Sequence, residues 1–279
     1  MPEIRFLTTL PDMPSAPTWI LELAPFKATE TKLLRSARRL GLAGTLRQGT
    51  IEKHHGAITY VEGPWALSLY RASGGLRYHD RGRWMVDDGK SEVRFDRDTA
   101  TGLAMEAVKT HDLAPSDELR LLKVTRLHAT TGEVQSMRGE DRAIDVGVVF
   151  QRMIGGVPVD GPGGKIVIYL DARGEMTGFD RLWREIEGGG RPVQALHDPR
   201  FAEEDLARYW GDHPGRINVT DVRFGYFEQD WKTTQRVLQP AYVMVLNVIG
   251  HEGRFVKGLV HVTPAANPPA GQLMRPRRV

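Results

Sequence analysis

The sequence predicts an α+β fold built of two antiparallel sheets, each with a helix packed across one face. Three observations predict it. Short apolar runs bounded by glycine, proline and aspartate recur along most of the chain. Only a few segments carry apolar residues at helical spacing. The elements follow one another as a helix and then strands, twice over, which groups them into two related halves. The expected organisation is an extended arm over 1–27, a first half over 28–114, a second half with the C-terminal strands over 115–267, and a basic, proline-containing tail over 268–279.

The arm carries Pro2, Pro11, Pro14, Pro17 and Pro25, with a short strand expected at Ile20–Leu23. Thr29 or Thr31 can cap a helix over Glu30–Leu40, where Leu33, Ala37 and Leu40 recur at helical spacing and Gly41 ends the run. Strands are expected at Ala57–Val61, Ala66–Arg71, Leu76–His79 and Arg83–Val86, separated by Gly63-Pro64, Ser73-Gly74-Gly75 and Arg81-Gly82. Asp96 or Asp98 can cap a second helix running to His111. The chain from Leu119 is read as strands: Leu119–Thr130, Ile144–Met153, Lys165–Leu170 and Glu175–Leu182. A third helix is expected over Phe201–Tyr209, then strands at Ile217–Phe227, Gln235–Ile249 and Phe255–Val262. The stretch Tyr242–Ile249 is continuously apolar, which predicts cover on both faces.

Thirty-eight basic residues nearly balance thirty-five acidic ones, so net charge gives no argument for nucleic acid. The absence of cysteine excludes disulfides, thiolate nucleophiles and Cys-ligated zinc, and fits a reducing compartment. No window approaches the length of an apolar membrane span, and no export signal is read at the N-terminus, so the expected setting is the cytoplasm.

The string Phe150-Gln151-Arg152, then Ile154-Gly155-Gly156-Val157-Pro158-Val159, the strand Lys165–Leu170, and Asp171 with Gly174 resembles the core of PepSY and fungalysin/thermolysin-propeptide (FTP) domains. Ala37, Leu40-Gly41-Leu42 and Gly44, followed by Leu67–Leu69, Ser73-Gly74-Gly75, Tyr78 and Trp84, resemble the first unit of a tandem of such domains. Gly225-Tyr226-Phe227 with Gln235, Leu238, Pro240 and Tyr242 resemble its last strands. The resemblance implies PepSY/FTP-like halves that bind or inhibit peptides and proteases without chemistry of their own. The chain departs from the propeptide pattern in lacking a His-Glu-x-x-His peptidase motif.

The chemical candidates favour the same reading. His54-His55 are adjacent and point to opposite faces of a strand, and His251 with His261 needs a third ligand, such as Glu252 or His79, that no spacing supplies. Gly161-Pro162-Gly163-Gly164 is followed by a strand, so it reads as a hairpin turn and not a phosphate loop. No serine stands in a Gly-x-Ser-x-Gly elbow, and Asp87-Asp88 and Glu203-Glu204-Asp205 fit turn and helix-start positions. No catalytic residue, metal or cofactor is expected. The expected function is non-catalytic binding of an extended peptide or protein by strand addition, as in holding a precursor peptide for modifying enzymes of a ribosomal peptide natural-product pathway. Arg152, Trp183, Arg184, Tyr226 and Trp231 are the expected contact residues, because tryptophan beside arginine is a common hot-spot composition. The alternatives are a hydrolase or maturase acting on a peptide, and a nucleic-acid binder using surface arginines. Neither a membrane nor a nucleic acid is the expected partner.

Overall fold

Thr29, Asp96 and Asp198 each start a helix by accepting a hydrogen bond from a first-turn backbone N–H, those of Lys32, Thr99 and Arg200 respectively. The computed structural model describes residues 3–14, 18–42, 48–54, 56–132, 139–213, 215–250, 255–271 and 273. In chain order its elements are β1 (Glu3–Phe6), β2 (Trp19–Glu22), α1 (Glu30–Arg39), β3 (Thr50–Lys53), β4 (Ala57–Glu62), β5 (Trp65–Tyr70), β6 (Leu76–Asp80) and α2 (Arg97–Thr110). Next come β7 (Leu119–Gly132), β8 (Gly139–Ile154), β9 (Val157–Asp160), β10 (Lys165–Asp171), β11 (Met176–Leu182), β12 (Arg191–Pro192), β13 (Ala195–Leu196) and α3 (Pro199–Trp210). The last are β14 (Arg216–Phe227), β15 (Val237–Leu238), β16 (Pro240–Ile249), β17 (Phe255–Pro264) and β18 (Ala266–Asn267).

The predicted fold class is corrected by the sheet. The protein is mostly β, and one mixed sheet of 13 strands runs in the order β17-β16-β14-β9-β8-β10-β11-β6-β5-β4-β3, with β1 beside β14 and β7 beside β8. It is not two helix-covered antiparallel sheets. The strands of the first predicted half join those of the second where β6 pairs antiparallel with β11, Leu76 opposite Arg181 and Tyr78 opposite Phe179. Both α1 and α2 then lie over the same sheet. Leu33 and Ala37 of α1 pack in one buried cluster with Ala100, Ala104 and Val108 of α2 and with Leu67, Phe150, Ile166 and Phe179 of the sheet. Parallel pairs, β1 with β14 and β9 with β14, make the sheet mixed. A second cluster sits under α3, where Ala202, Leu206 and Trp210 meet Val219, Tyr242 and Leu246.

Most predicted strands stand within a residue or two of their expected bounds. Residues 240–244 of β16 are all buried, as the apolar run demands, and burial alternates from Val245 onward. Arg83–Val86 is a turn and not a strand, because Arg83 is tied to Asp171 and Glu175 and Trp84 stacks on His79 at 4.0 Å. The expected strand Gln235–Ile249 divides at Gln239, whose buried amide accepts from Ala270 N–H and donates to Gly271 carbonyl, both 2.8 Å. The tail is thus docked where it begins; residues 272 and 274–279 lie outside the described residues, as do His55, His251 and Glu252. The N-terminal arm is itself an inserted strand. β2 pairs with β12 on one side and β15 on the other, and Leu23 and Ala24 continue the pairing to Arg236 and Glu185.

Candidate binding edge and cleft

Four of the five expected contact residues stand in the interior, at the junction where the β8-to-β3 part of the sheet meets β14. The Arg152 guanidinium lies 4.6 Å from the Trp183 ring centre, and it donates to Glu118 and to the Arg184 carbonyl at 2.8 Å each. Arg184 donates through one nitrogen to Glu228 and the Gln229 carbonyl, and through the other to the carbonyls of Asp230 and Thr233. Glu228 is fully buried; desolvation raises its pKa, and the Arg184 guanidinium opposes that. The Tyr226 hydroxyl is buried and accepts from Trp19 N–H at 3.2 Å. Trp231 is half-buried. It packs on Tyr70 at 4.7 Å and beneath the Arg77 guanidinium, and a Cβ on Gly75 would meet its ring at 2.6 Å. The bonded donors of Arg152 and Arg184 therefore hold Glu118, the 228–233 loop and the chain just after β11. Trp183 and Arg184 still show an edge to a groove of about 760 Å³ bounded by residues 22–26, 71–74 and 234–237.

Among the described residues the sheet has two long edge strands, β17, which pairs with β16 alone, and β7. β7 pairs with β8 alone over its whole length. Two register shifts, at Leu121/Lys123 and Leu127/His128, divide it, so that Lys123–Leu127 forms an unbroken segment opposite Val149–Asp145. Lys123, Thr125 and Leu127 share the outer face with Val149 and Gly147, whereas Arg126 reaches the helix side and donates to the carbonyls of Val93 and Phe95. From Leu119 to Thr130 the strand has Arg120, Lys123 and Arg126 and no carboxylate. Leu122, pushed out at the first shift, and Leu127 are both exposed. The sequence singled out this strand but not its lack of an outer neighbour, because pairing partners are set by tertiary topology and leave no local signal.

One end of β7 opens into a cleft. β9 pairs with β8 only at Met153 and Ile154, then turns to join β14, and β7 takes its place beside β8 from Arg152 onward. The wedge between the diverging strands holds about 450 Å³ and is lined by Arg120 and Leu122 on one side and Val222–Phe224 on the other. Its floor is a connected polar row. Arg120 donates to Gln151, Gln151 donates to Asp160 at 3.2 Å, and Arg223 sits 3.1 Å from the same Asp160 oxygen. β14 is paired on this side by β1 at 216–219 and by β9 at 226–227, so residues 220–225, paired with β16 on the other side, have no strand neighbour on this one among the described residues.

Titratable groups converge elsewhere, on the outer sheet face, around Asp180, and the His79 Nδ1 among them is buried without a hydrogen-bond partner. Asp180 takes two hydrogen bonds from Arg77, 2.6 and 3.0 Å, and one from the Tyr169 hydroxyl at 3.2 Å. His79 lies 4.0 Å from Asp180, and burial pushes its pKa down. His261 is buried against Asp205 at 3.2 Å, and His54 pairs with Glu52. Among the described residues no group of three or more side chains could hold a metal ion. No helix there is long and apolar enough to cross a membrane.

Comparison with known proteins defines the fold and stops there. No family model matches the chain, and no curated protein matches it. Among solved structures it is similar to an uncharacterized protein from Eubacterium rectale ATCC 33656, solved by crystallography at 1.45 Å resolution. The TM-score is 0.55 at 12% identity, with 93% of this chain and 86% of that chain covered.

Proposed function

We propose that the protein is a non-catalytic binding module that holds an extended peptide or protein segment by strand addition along β7. The observation that carries this reading is the unpaired outer edge of β7, above all the straight segment Lys123–Leu127. An edge of this length offers backbone N–H and C=O groups that a partner strand satisfies, each net hydrogen bond contributing roughly 0.5–1.5 kcal/mol. The register shifts and the cations keep the edge from pairing with copies of itself, since like charges would meet. They favour a partner of opposite sign. The ligand is therefore an extended segment whose outer face, read at alternate positions, is acidic where it meets Lys123 and apolar where it covers Leu127. The cleft beside Arg120 gives the segment an end point, where the unpaired stretch of β14 faces it. The chain has no cysteine, and we place the module in the cytoplasm on that ground.

Selection from a random twelve-residue peptide library against the whole chain tests the reading. Retained peptides are expected to carry acidic and apolar residues at alternate positions, and Lys123→Glu is expected to lower their retention by about tenfold, the scale of one charge-assisted contact. Retention of no peptide, enrichment of basic peptides, or retention indifferent to Lys123→Glu contradicts it.

A further inference from the structure

A second cavity, on the helix-covered side of the sheet, has the chemistry of a site for a small amphiphilic anion. It holds about 320 Å³, within the range of small-molecule sites, and lies between α1, the loop after α2 and strands β5, β6 and β11. Leu69, Leu76 and Phe179 supply an apolar floor from the sheet, and Phe26 and Leu113 supply apolar walls. Four cations line it, Lys32, Arg35, Arg39 and Arg181, against two carboxylates, Asp112 and Glu185. The carboxylates are already engaged, Asp112 by Arg39 and Glu185 by Arg181, each at 3.3 Å. Lys32 and Arg35 have no carboxylate partner among the described residues; Lys32 lies over the Phe26 ring at 4.4 Å.

Arg181 is the innermost of the four, with a side chain only 16% exposed. Its Nε donates to the Leu113 carbonyl at 2.5 Å. Burial depresses its pKa, and its carboxylate partner Glu185, itself exposed, opposes this only in part. His111 also lines the cavity, and its Nδ1 is buried without a hydrogen-bond partner. The cavity shares Phe26, Lys32, Gly74, Arg181 and Glu185 with the wider groove of about 760 Å³, which gives a long apolar body somewhere to extend.

We propose that this cavity binds a small aliphatic monocarboxylate, its carboxylate held among Lys32, Arg35 and Arg181 and its chain laid on Leu69, Leu76 and Phe179. The cations require a negative head. The floor excludes a compact, fully hydrated anion, because such a ligand would strip water from apolar surface it cannot cover. No residue of β7 lines the cavity, so this site and the strand-addition edge stand or fall separately.

Calorimetric titration of the whole chain with hexanoate, octanoate, decanoate, decanol and inorganic phosphate is the test. The expected result is one decanoate per chain, affinity rising with chain length, and decanol and phosphate each weaker by at least about tenfold. The double variant Lys32→Gln/Arg35→Gln changes two exposed side chains of α1 that the fold does not need, and it is expected to weaken decanoate by about tenfold or more. The proposal is overturned if decanoate does not bind, if decanol or phosphate binds as tightly, or if the double variant binds decanoate like the parent.

Discussion

The junction and the β7 edge both set cations beside large apolar side chains, in opposite surroundings. At the junction Arg152, Arg184 and Trp183 are buried, and both terminal nitrogens of Arg184 have acceptors inside the protein. On β7 the cations Arg120 and Lys123 and the apolar Leu122 and Leu127 stand at the surface, beside a backbone edge with no neighbour among the described residues. Arginine beside tryptophan, a hot-spot composition in the sequence, is an internal brace at the junction: what separates interface from interior is whether the donors are already satisfied. The first region serves stability, and the second is the one proposed to bind.

Arg184→Ala is expected to hit stability hardest. It leaves Glu228 buried without its counter-charge and releases the carbonyls of the 228–233 loop, a loss of about 3–5 kcal/mol by chemical denaturation. A variant as stable as the parent would break the comparison, since the junction would then not need its brace.

Asp145 on β8 tests the interior in another way. It is buried, and burial with the nearby Asp171 pushes its pKa up to about 7, while the Met85 N–H opposes the rise. A carboxyl raised in the folded state binds its proton more tightly there than in the unfolded chain. Its contribution is fully present below the unfolded pKa near 4 and is lost as pH climbs to about 7, roughly 2–4 kcal/mol in all. Asp145→Asn should flatten stability across that window; an Asn variant with the parent's slope would place the titration on another group.

Gly155 and Gly156 link β8 to β9 with φ values of 55° and 82°, and neither has an atom within 4 Å of where a Cβ would stand. The cost of Gly156→Val is therefore one of backbone conformation alone, about 1–3 kcal/mol, visible as a fall in melting temperature. An unchanged melting temperature would show that this turn does not constrain the link between the two parts of the sheet. Lys123→Glu should be the mildest, within about 0.5 kcal/mol in stability because the side chain is exposed, while it weakens peptide retention. A large stability loss there would make β7 a structural strand like those of the junction.

The elements were legible because their signals are local. Thr29, Asp96 and Asp198 cap the helices that their positions announce, and β10 alternates in burial along Lys165–Asp171 as its composition requires. The arrangement was not legible, because Leu76–Arg181 pairing joins residues a hundred positions apart, and nothing in either strand's periodicity names its partner. The same limit hid the burial of the expected contact residues. Trp183 and Arg184 look like an interface in one dimension, and only the fold places Glu228 and the carbonyls of the following loop around them. β1 escaped notice because four residues that pair parallel to a distant strand carry too short a pattern to register.

The central claim is that β7 binds through its backbone edge. The most direct measurement is calorimetry of the whole chain with a selected acidic peptide and a series of its single N-methyl variants, each removing one donor. Strand addition predicts an alternating pattern: methylation at every second position weakens binding by about tenfold or more, and methylation between them is tolerated. If every N-methylated peptide binds as tightly as the parent, the edge is not the binding element and the account is wrong.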